Sequence, residues 1–406
     1  MTPFAVEPVA ASGMGLVCAA GCGAQAAFAN VAGGETAVGP PPFAADNLYP
    51  VFLCARPAPA NPPAESSRTL ELALCAAREA LNSAQIDAEE IPKLRMGIAL
   101  GTSVGASLDF LDFYSRTWAG AKPPLDEIDR YLFSSPAAAL RRAFSCKGPA
   151  LAVTNACSSG VDAIGIAAAW IRSGLCDLAL AGGADAVSPV TYFGFASLRL
   201  LSTEACRPFD ARRSGLSLGE GAAFLLLESA ASRRRRGVAA QSFVLGYGTA
   251  TDAHHLTAPH PEGRGLKAAV EQSFAQSGLG WTDLAFVNVH GTGTKTNDAA
   301  EAAFFAAHCP DVPLSATKGS TGHTLGAAGA VEAVLTACCL NRGMLLPSRR
   351  FQEADPEIGI APVREAFDIS GRFALSQSLA FGGNNSALLI GRGETCLNPQ
   401  PAPPAG

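Results

Sequence analysis

The sequence has little charge, few aromatic residues and no long apolar run, and each shortage excludes something. Asp, Glu, Lys and Arg make up 16% of the 406 residues, and the net charge is −5. So thin and negative a balance offers no basic face for nucleic acid. Hydrophobic residues reach 48%, so much of the chain must be buried, as in large α/β enzymes and in chains that also bury an oligomer interface. No apolar stretch approaches the ~20 residues that a membrane helix needs. Lys and Arg are absent before Arg56, so the basic start of a signal peptide is missing. The twelve cysteines are scattered and contain no CxxC pair, which argues against a zinc or redox motif and for reduced thiols. A soluble, cytoplasmic protein is expected, with neither nucleic acid nor membrane as a partner. A chain of this length divides by default into two domain-sized halves.

What is present is organised around residues 149–170, PALAVTNACSSGVDAIGIAAAW. This reads as an apolar strand, a sharp turn carrying Cys157, and a helix. Apart from the cysteine, Asp162 is its only ionisable side chain. A buried strand feeding a buried helix places Cys157 deep in the protein, beside a helix N-terminus. Free backbone N–H groups and the dipole favour an anion there, so a stabilised, nucleophilic thiolate is expected. Buried cysteines also occur as plain structural residues, and this stretch alone leaves both roles open.

Taken in order, Phe4–Ala10 and Gly13–Cys18 read as a strand entering a glycine turn. Two proline-rich passages, GPPPFAADNLYP and RPAPANPPAE, are surface segments. From Ser67 to Ala84 apolar residues recur at helical spacing (Leu70, Leu72, Leu74, Ala77, Ala80, Leu81), with Ser66 or Ser67 as N-cap. MGIALG, from Met96 to Gly101, is a short strand. Leu108–Trp118 is a helix whose aromatics Phe110, Phe113, Tyr114 and Trp118 belong in a core, with a pocket or partner face as the other option. Leu178–Asp185 is another strand, and a further one closes Cys206–Ser229. The run Arg233–Arg236 is either a solvated helix end complementing the dipole or a docking site for an acidic partner.

The half boundary falls near the strand Gln241–Thr249. Gly263–Ser277 is a helix, Leu284–Val289 a strand broken off at His290, and Asp298–His308 a helix. Apolar strand, reactive residue, helix: the order seen at Cys157 returns at His290. The two residues are therefore expected at equivalent positions of two similar α/β units, with the site where the units meet. The final strand spans 378–390, and the tail LNPQPAPPAG is too polar and proline-rich to fold. The resulting division is 1–240, 241–392 and a disordered tail 393–406.

Four features stand together: Cys157, His290, Lys318 with His323, and the FGG turn at Phe381. Of six histidines, His290 and His323 lie in Gly/Thr loops at strand–helix junctions, as Cys157 does. One thiol with two imidazoles is a toolkit for acyl transfer to sulfur and stabilisation of an enolate.

The blocks SGMG (12–15), TNACSSG (154–160), CRPFDARRSGLSLGEGA (206–222), TDAHHLTAP (251–259), VHGTGTKTND (289–298), TKGSTGHTLGAAGAVE (317–332) and FGGNNSALL (381–389) run across nearly the whole chain. In that order they resemble an elongating β-ketoacyl–acyl carrier protein synthase of the KAS I/II type, among the thiolase-like condensing enzymes. The resemblance implies an α/β fold of two similar halves in αβαβα layers. It implies decarboxylative Claisen condensation of an acyl primer with malonyl-acyl carrier protein, giving 3-oxoacyl-acyl carrier protein and CO2. Cys157 would carry the primer as a thioester, with the N–H groups of Cys157 and Phe381 as oxyanion hole. His290 and His323 would bind the malonyl carbonyl as the enolate forms, Lys318 would hold the His323 region, and Glu332 would support the network. Thr292 and Thr294 match pantetheine contacts. Phe381, Gly382 and Gly383 match a gate, and the loop containing Asp252 and His255 a second mobile segment. Neither metal nor organic cofactor is implied, since the substrates ride on the phosphopantetheine of acyl carrier protein. That carrier and a second ketosynthase-like subunit, identical or chain-length-factor-like, are the implied partners.

Three departures stand out. Ala380 replaces the usual glycine before the gate, Ser214 replaces an acid, and 118–145 matches poorly. The NACSSG and LAFGGNNSALL blocks look closer to specialised aryl-polyene or polyketide ketosynthases than to housekeeping fatty acid enzymes. The rival reading, a non-catalytic chain-length-factor-like subunit, is expected to lack the cysteine that is present here. Thiolases use a second cysteine as base, and priming synthases a Cys–His–Asn set; the two histidines argue against both.

Overall fold

The computed structural model describes residues 6–44, 48–54, 67–105, 111–125 and 135–394. Phe4, Ser66, Phe110, the RPAPANPPAE passage and most of the tail lie outside these residues. Ten strands carry the architecture: β1 Val9–Cys18, β2 Met96–Gly101, β3 Ala150–Val153, β4 Leu178–Asp185, β5 Gly221–Glu228, β6 Ser242–Thr251, β7 Leu284–Asn288, β8 Leu314–Ser315, β9 Phe373–Ala380 and β10 Asn384–Arg392. They join in one sheet in the order β8-β7-β9-β10-β6-β1-β5-β4-β2-β3, with the short strand Gly21–Cys22 paired to β1.

The two halves repeat one plan. The first orders its strands β3-β2-β4-β5-β1 and the second β8-β7-β9-β10-β6, which is the same sequence of chain positions. Orientation repeats as well: β2 is parallel to β3 and β4, as β7 is to β8 and β9, and the remaining pairs are antiparallel. Helices α1 (Arg68–Ser83) and α2 (Pro136–Ala143) cover the outer face of the first half. Helix α3 (Ser159–Arg172) and a second apolar helix (Ala328–Arg342) fill the middle, between the two halves. Two more, Arg264–Ser277 and Lys295–His308, cover the outer face of the second half. These are the αβαβα layers.

The central pair is built to be buried. Every residue from Ala328 to Leu340 is buried, and Glu332 is its one acid, as Asp162 is in α3. A Cβ added to Gly329 would come within 2.3 Å of Val161, so the two helices meet across a glycine. Burying Val331, Val334 and Leu335 contributes roughly 1.5–3 kcal/mol each.

Several expectations change. The motif ASGMG is not a turn but the middle of β1, with a bulge between Ala11 and Gly13. Its glycines are needed because α1 lies directly on the strand: Cβ atoms at Gly13 and Gly15 would sit 2.0 Å from the carbonyls of Ala80 and Ala76. Segment 378–390 is the hairpin β9–β10, not one strand. In the helix Leu111–Trp118, Phe113 is buried but Tyr114 is 56% and Trp118 95% exposed, so core packing fails for both. The strand before Cys157 is an edge strand, only partly buried, with Leu151 40% exposed. The arginine run forms the end of the helix Ala230–Arg236, where Arg236 pairs with buried Glu228 at 2.6 Å and Arg233 with Glu394. Arg234 and Arg235 are the exposed members of the run. Ser67 caps α1 as expected, accepting from Leu70 N–H.

Candidate active site

Cys157 sits in the elbow between β3 and α3, 5% exposed. Ala156, just before it, has φ +48°, a left-handed conformation costly for a residue with a Cβ. Asp162, one turn into α3, holds that shape. Its Oδ2 accepts from Asn155 Nδ2 at 2.7 Å and Ser158 Oγ at 3.0 Å, and its Oδ1 from Tyr247 at 2.9 Å. Burial pushes the Cys157 thiol up to about 11, against the pull of Lys318 and of the Phe381 N–H. Desolvation of the anion thus opposes the expected thiolate, while Lys318 and the Phe381 N–H favour it. The Phe381 N–H contacts the sulfur.

The topology corrects the expected echo. His290 follows β7, the second strand of the second half after its opening β6, whereas Cys157 follows β3, the third strand of the first half. The counterpart of the Cys157 elbow is the segment after β8, which carries Lys318 and His323 and leads into Ala328–Arg342. β8 has only two residues, too few to read as a strand from sequence.

The Cys157 sulfur and one ring nitrogen each of His290 and His323 all lie within 4.8 Å of one another. The imidazole rings meet edge to face at 5.1 Å. Lys318, 1% exposed, uses its Nζ three ways: toward His290 Nδ1 at 3.1 Å, the His290 carbonyl at 2.6 Å, and Glu332 Oε1. An ammonium only donates, so His290 Nδ1 accepts and its proton resides on Nε2. His323 Nδ1 accepts from the Leu325 N–H at 3.1 Å, which fixes the same tautomer. Burial, then the Lys318 charge, holds both imidazoles well below their usual pKa, so both are neutral Nε2–H donors. Opposing effects set Glu332: burial pushes it up to about 7 and Lys318 pulls it back. A thiol with two imidazoles is a donor set that soft divalent metals favour, but the neighbouring Lys318 charge works against a bound cation.

Sequence reasoning missed the residues that carry the His290 loop. Glu301 Oε1 accepts from His290 N–H and Oε2 from Gly291 N–H, each at 2.7 Å. Asp298 accepts from the N–H groups of Thr292 (3.1 Å), Gly293 (3.2 Å) and Phe209 (2.7 Å). Burial pushes Glu301 up to about 7. Two acids, Asp298 and Glu301, in the first two turns of the helix Lys295–His308 were the available signal. Asp185 plays the same part at His323, accepting from Gly326 N–H and Ser103 N–H, each at 2.7 Å.

A cleft of about 70 Å³ is lined by Cys157, His290, His323, Thr292, Thr294, Phe195, Asp252 and Phe381, among others. The Phe381 ring stacks on Phe195 at 5.3 Å. Gly382 and Gly383 follow at φ +86° and +77°, while Ala380 ends β9 without strain. Asp252 N–H donates to the Gly383 carbonyl (2.7 Å) and Gly382 N–H to that of Leu256 (2.8 Å), so the two loops are tied together. His255 faces away from the cleft, accepting from Thr257 and Ala258 N–H in its own loop. Ser214 meets Ser202 at 2.8 Å, outside the cleft.

Known proteins match this arrangement. The N-terminal domain of beta-ketoacyl synthase matches residues 59–232 and its C-terminal domain residues 241–352. A 3-oxoacyl-[acyl-carrier-protein] synthase 2 of Staphylococcus aureus is 33% identical over 339 residues, 80% of this chain and 83% of its own length. The tetracenomycin polyketide synthase ketoacyl synthase alpha subunit of Streptomyces glaucescens is 33% identical over 345 residues, 80% of this chain and 81% of its own. Among solved structures, the ishigamide ketosynthase/chain length factor aligns with a TM-score of 0.88 and 29% identity, covering 95% of this chain and 99% of that one. On both family models and on relatives matched along most of its length, this chain belongs to the beta-ketoacyl synthase family.

Proposed function

We propose that this chain is a working ketosynthase that condenses an acyl primer with malonyl-acyl carrier protein, losing CO2. The observation that carries the reading is the pair of neutral Nε2–H donors beside the Cys157 sulfur, each tautomer set by a separate partner. The Cys157 sulfur attacks the primer thioester, the tetrahedral oxygen accepts a hydrogen bond from the Phe381 N–H, and the pantetheine sulfur leaves as a thiol with the proton that Cys157 gives up. The malonyl thioester carbonyl then accepts from His290 and His323. Its C–CO2 bond breaks, the electron pair becomes an enolate held by those donors, and CO2 departs. The enolate carbon attacks the acyl-cysteine and the sulfur is expelled. Thr292 and Thr294 contact the pantetheine arm, and Phe381 with its glycines admits the primer. No step needs a metal or organic cofactor, because breaking the carboxylate bond supplies the carbanion.

A chain-length-factor-like role is disfavoured by the intact Cys157, His290 and His323. The half-exposed apolar edge strand β3 is where a second subunit, a copy or a chain-length-factor-like partner, extends the sheet. We place the functional halves at 1–240 and 241–392. Among the described residues no helix is long and apolar enough to cross a membrane. The test is a reconstituted assay with acyl- and malonyl-acyl carrier protein, following CO2 and 3-oxoacyl product. CO2 release without carbon–carbon bond formation, under any primer length, would refute the condensing role.

A further inference from the structure

The twelve cysteines contain a pair that no sequence spacing suggests. Cys22, exposed in the short strand after β1, and Cys75, half-buried on α1, approach to 3.5 Å between sulfurs. Fifty-three residues separate them in the chain.

The contact is not a chance meeting of mobile side chains. Cys75, Glu79 and Ser83 repeat at i, i+4 and i+8, so one stripe of α1 faces β1 and the turn that follows it. Glu79 accepts from Leu16 N–H through Oε2 and from Ala24 N–H through Oε1, each at 2.8 Å. Ser83 accepts from Met14 N–H at 2.9 Å and donates to the Met14 carbonyl at 3.0 Å. These bonds flank the Cys22 strand, and the helix backbone lies against Gly13 and Gly15 with no room for a Cβ. Helix and hairpin are thus held in register, and a side-chain rotation of modest size brings the sulfurs to bonding distance.

We propose that Cys22 and Cys75 form a reversible disulfide site, a redox-dependent staple between α1 and the β1 hairpin. Oxidation proceeds by exchange with a low-molecular-weight disulfide such as oxidised glutathione. The thiolate of exposed Cys22 displaces one glutathione thiolate, giving a mixed disulfide. Cys75 then displaces the second. The Cys22–Cys75 bond forms as the glutathione disulfide breaks, and the two thiol protons pass to the two glutathione thiolates. The protein is oxidised and glutathione reduced.

Two further cysteines lie nearby and are bystanders. Cys18 and Cys54 are buried, and burial pushes the Cys18 thiol up to about 11 and holds that of Cys54 well above its ordinary value, so neither offers a thiolate. The site is independent of the condensing chemistry, since none of its residues lines the catalytic cleft.

The test exposes the full chain to a series of glutathione redox ratios, quenches with N-ethylmaleimide, and reads intact mass and cross-linked peptides. Wild type should lose two hydrogens, yield a Cys22–Cys75 linked peptide, and gain roughly 5 °C in unfolding midpoint, since a long loop is closed. Dithiothreitol should reverse all three changes. Cys75→Ser should instead stop at a glutathione adduct on Cys22 with no gain. A wild-type protein that also stops at the adduct, links Cys22 to Cys18 or Cys54, or links correctly without a rise in midpoint would overturn the staple.

Discussion

Removing the Lys318 charge should separate the two tasks that residue performs. Lys318→Met takes away the donor to His290 Nδ1, the donor to the His290 carbonyl, and the counter-charge of Glu332. With Nδ1 released, the imidazole proton is no longer confined to Nε2, and one of the two carbonyl donors becomes unreliable. Loss of one such donor costs roughly 10²- to 10³-fold in rate. Breaking a buried ion pair from one side costs about 3–5 kcal/mol of stability. Here the low end applies, because Glu332, already raised to about 7, takes a proton once its partner is gone. The double variant Lys318→Met/Glu332→Gln should therefore regain most of the stability and none of the rate. Removing the cation also lifts the depressed pKa of His290, so the acid limb of the rate profile moves to higher pH. The assay is CO2 release from malonyl-acyl carrier protein, run against pH and paired with thermal unfolding. Decarboxylation within threefold of wild type in a folded Lys318→Met protein, with an unshifted acid limb, would refute the tautomer argument.

Cys157→Ala should abolish acyl capture, read by intact mass, while malonyl decarboxylation persists because the two imidazoles are untouched. Phe195→Ala removes the stacking partner of Phe381. An aromatic pair is worth about 0.5–1.5 kcal/mol, so acyl loading of Cys157 should speed up by roughly two- to tenfold in rapid-quench measurements. Glu301 has its folded pKa raised to about 7 from an ordinary 4.5, so it binds a proton on folding between those values. Its contribution to stability is present below about pH 4.5 and is lost as pH rises through about 7. The unfolding midpoint should therefore fall between about pH 4.5 and 7, and Glu301→Gln should flatten that fall.

The candidate reacting residues Cys157, His290 and His323 were legible because each stands in a run of glycines and small polar residues between apolar elements. NACSSG, HGTGT and TGHTLG are patterns that only a tight backbone turn at a buried junction requires. Their supports were not legible. Asp298 and Glu301 bond to backbone N–H groups, which carry no residue identity, so no sequence pattern marks the loop they hold. Phe195 meets Phe381 from a separate element more than a hundred residues earlier, and ring stacking has no spacing rule.

By itself, the sequence determined which residues are candidates for the site, that the chain alternates strands and helices in two halves, and that two nearly chargeless helices must lie inside. Those properties are local: apolar periodicity, turn chemistry and the scarcity of charge are written residue by residue. Tertiary structure alone decided that burial pushes the Cys157 thiol up, because desolvation depends on everything packed around the sulfur. It also decided that the Cys157 elbow answers to the Lys318–His323 segment instead of His290, since strand order is a property of the sheet. Finally, it put Cys22 beside Cys75, across 53 residues of chain, because a helix lying on two glycines sets which side chains meet.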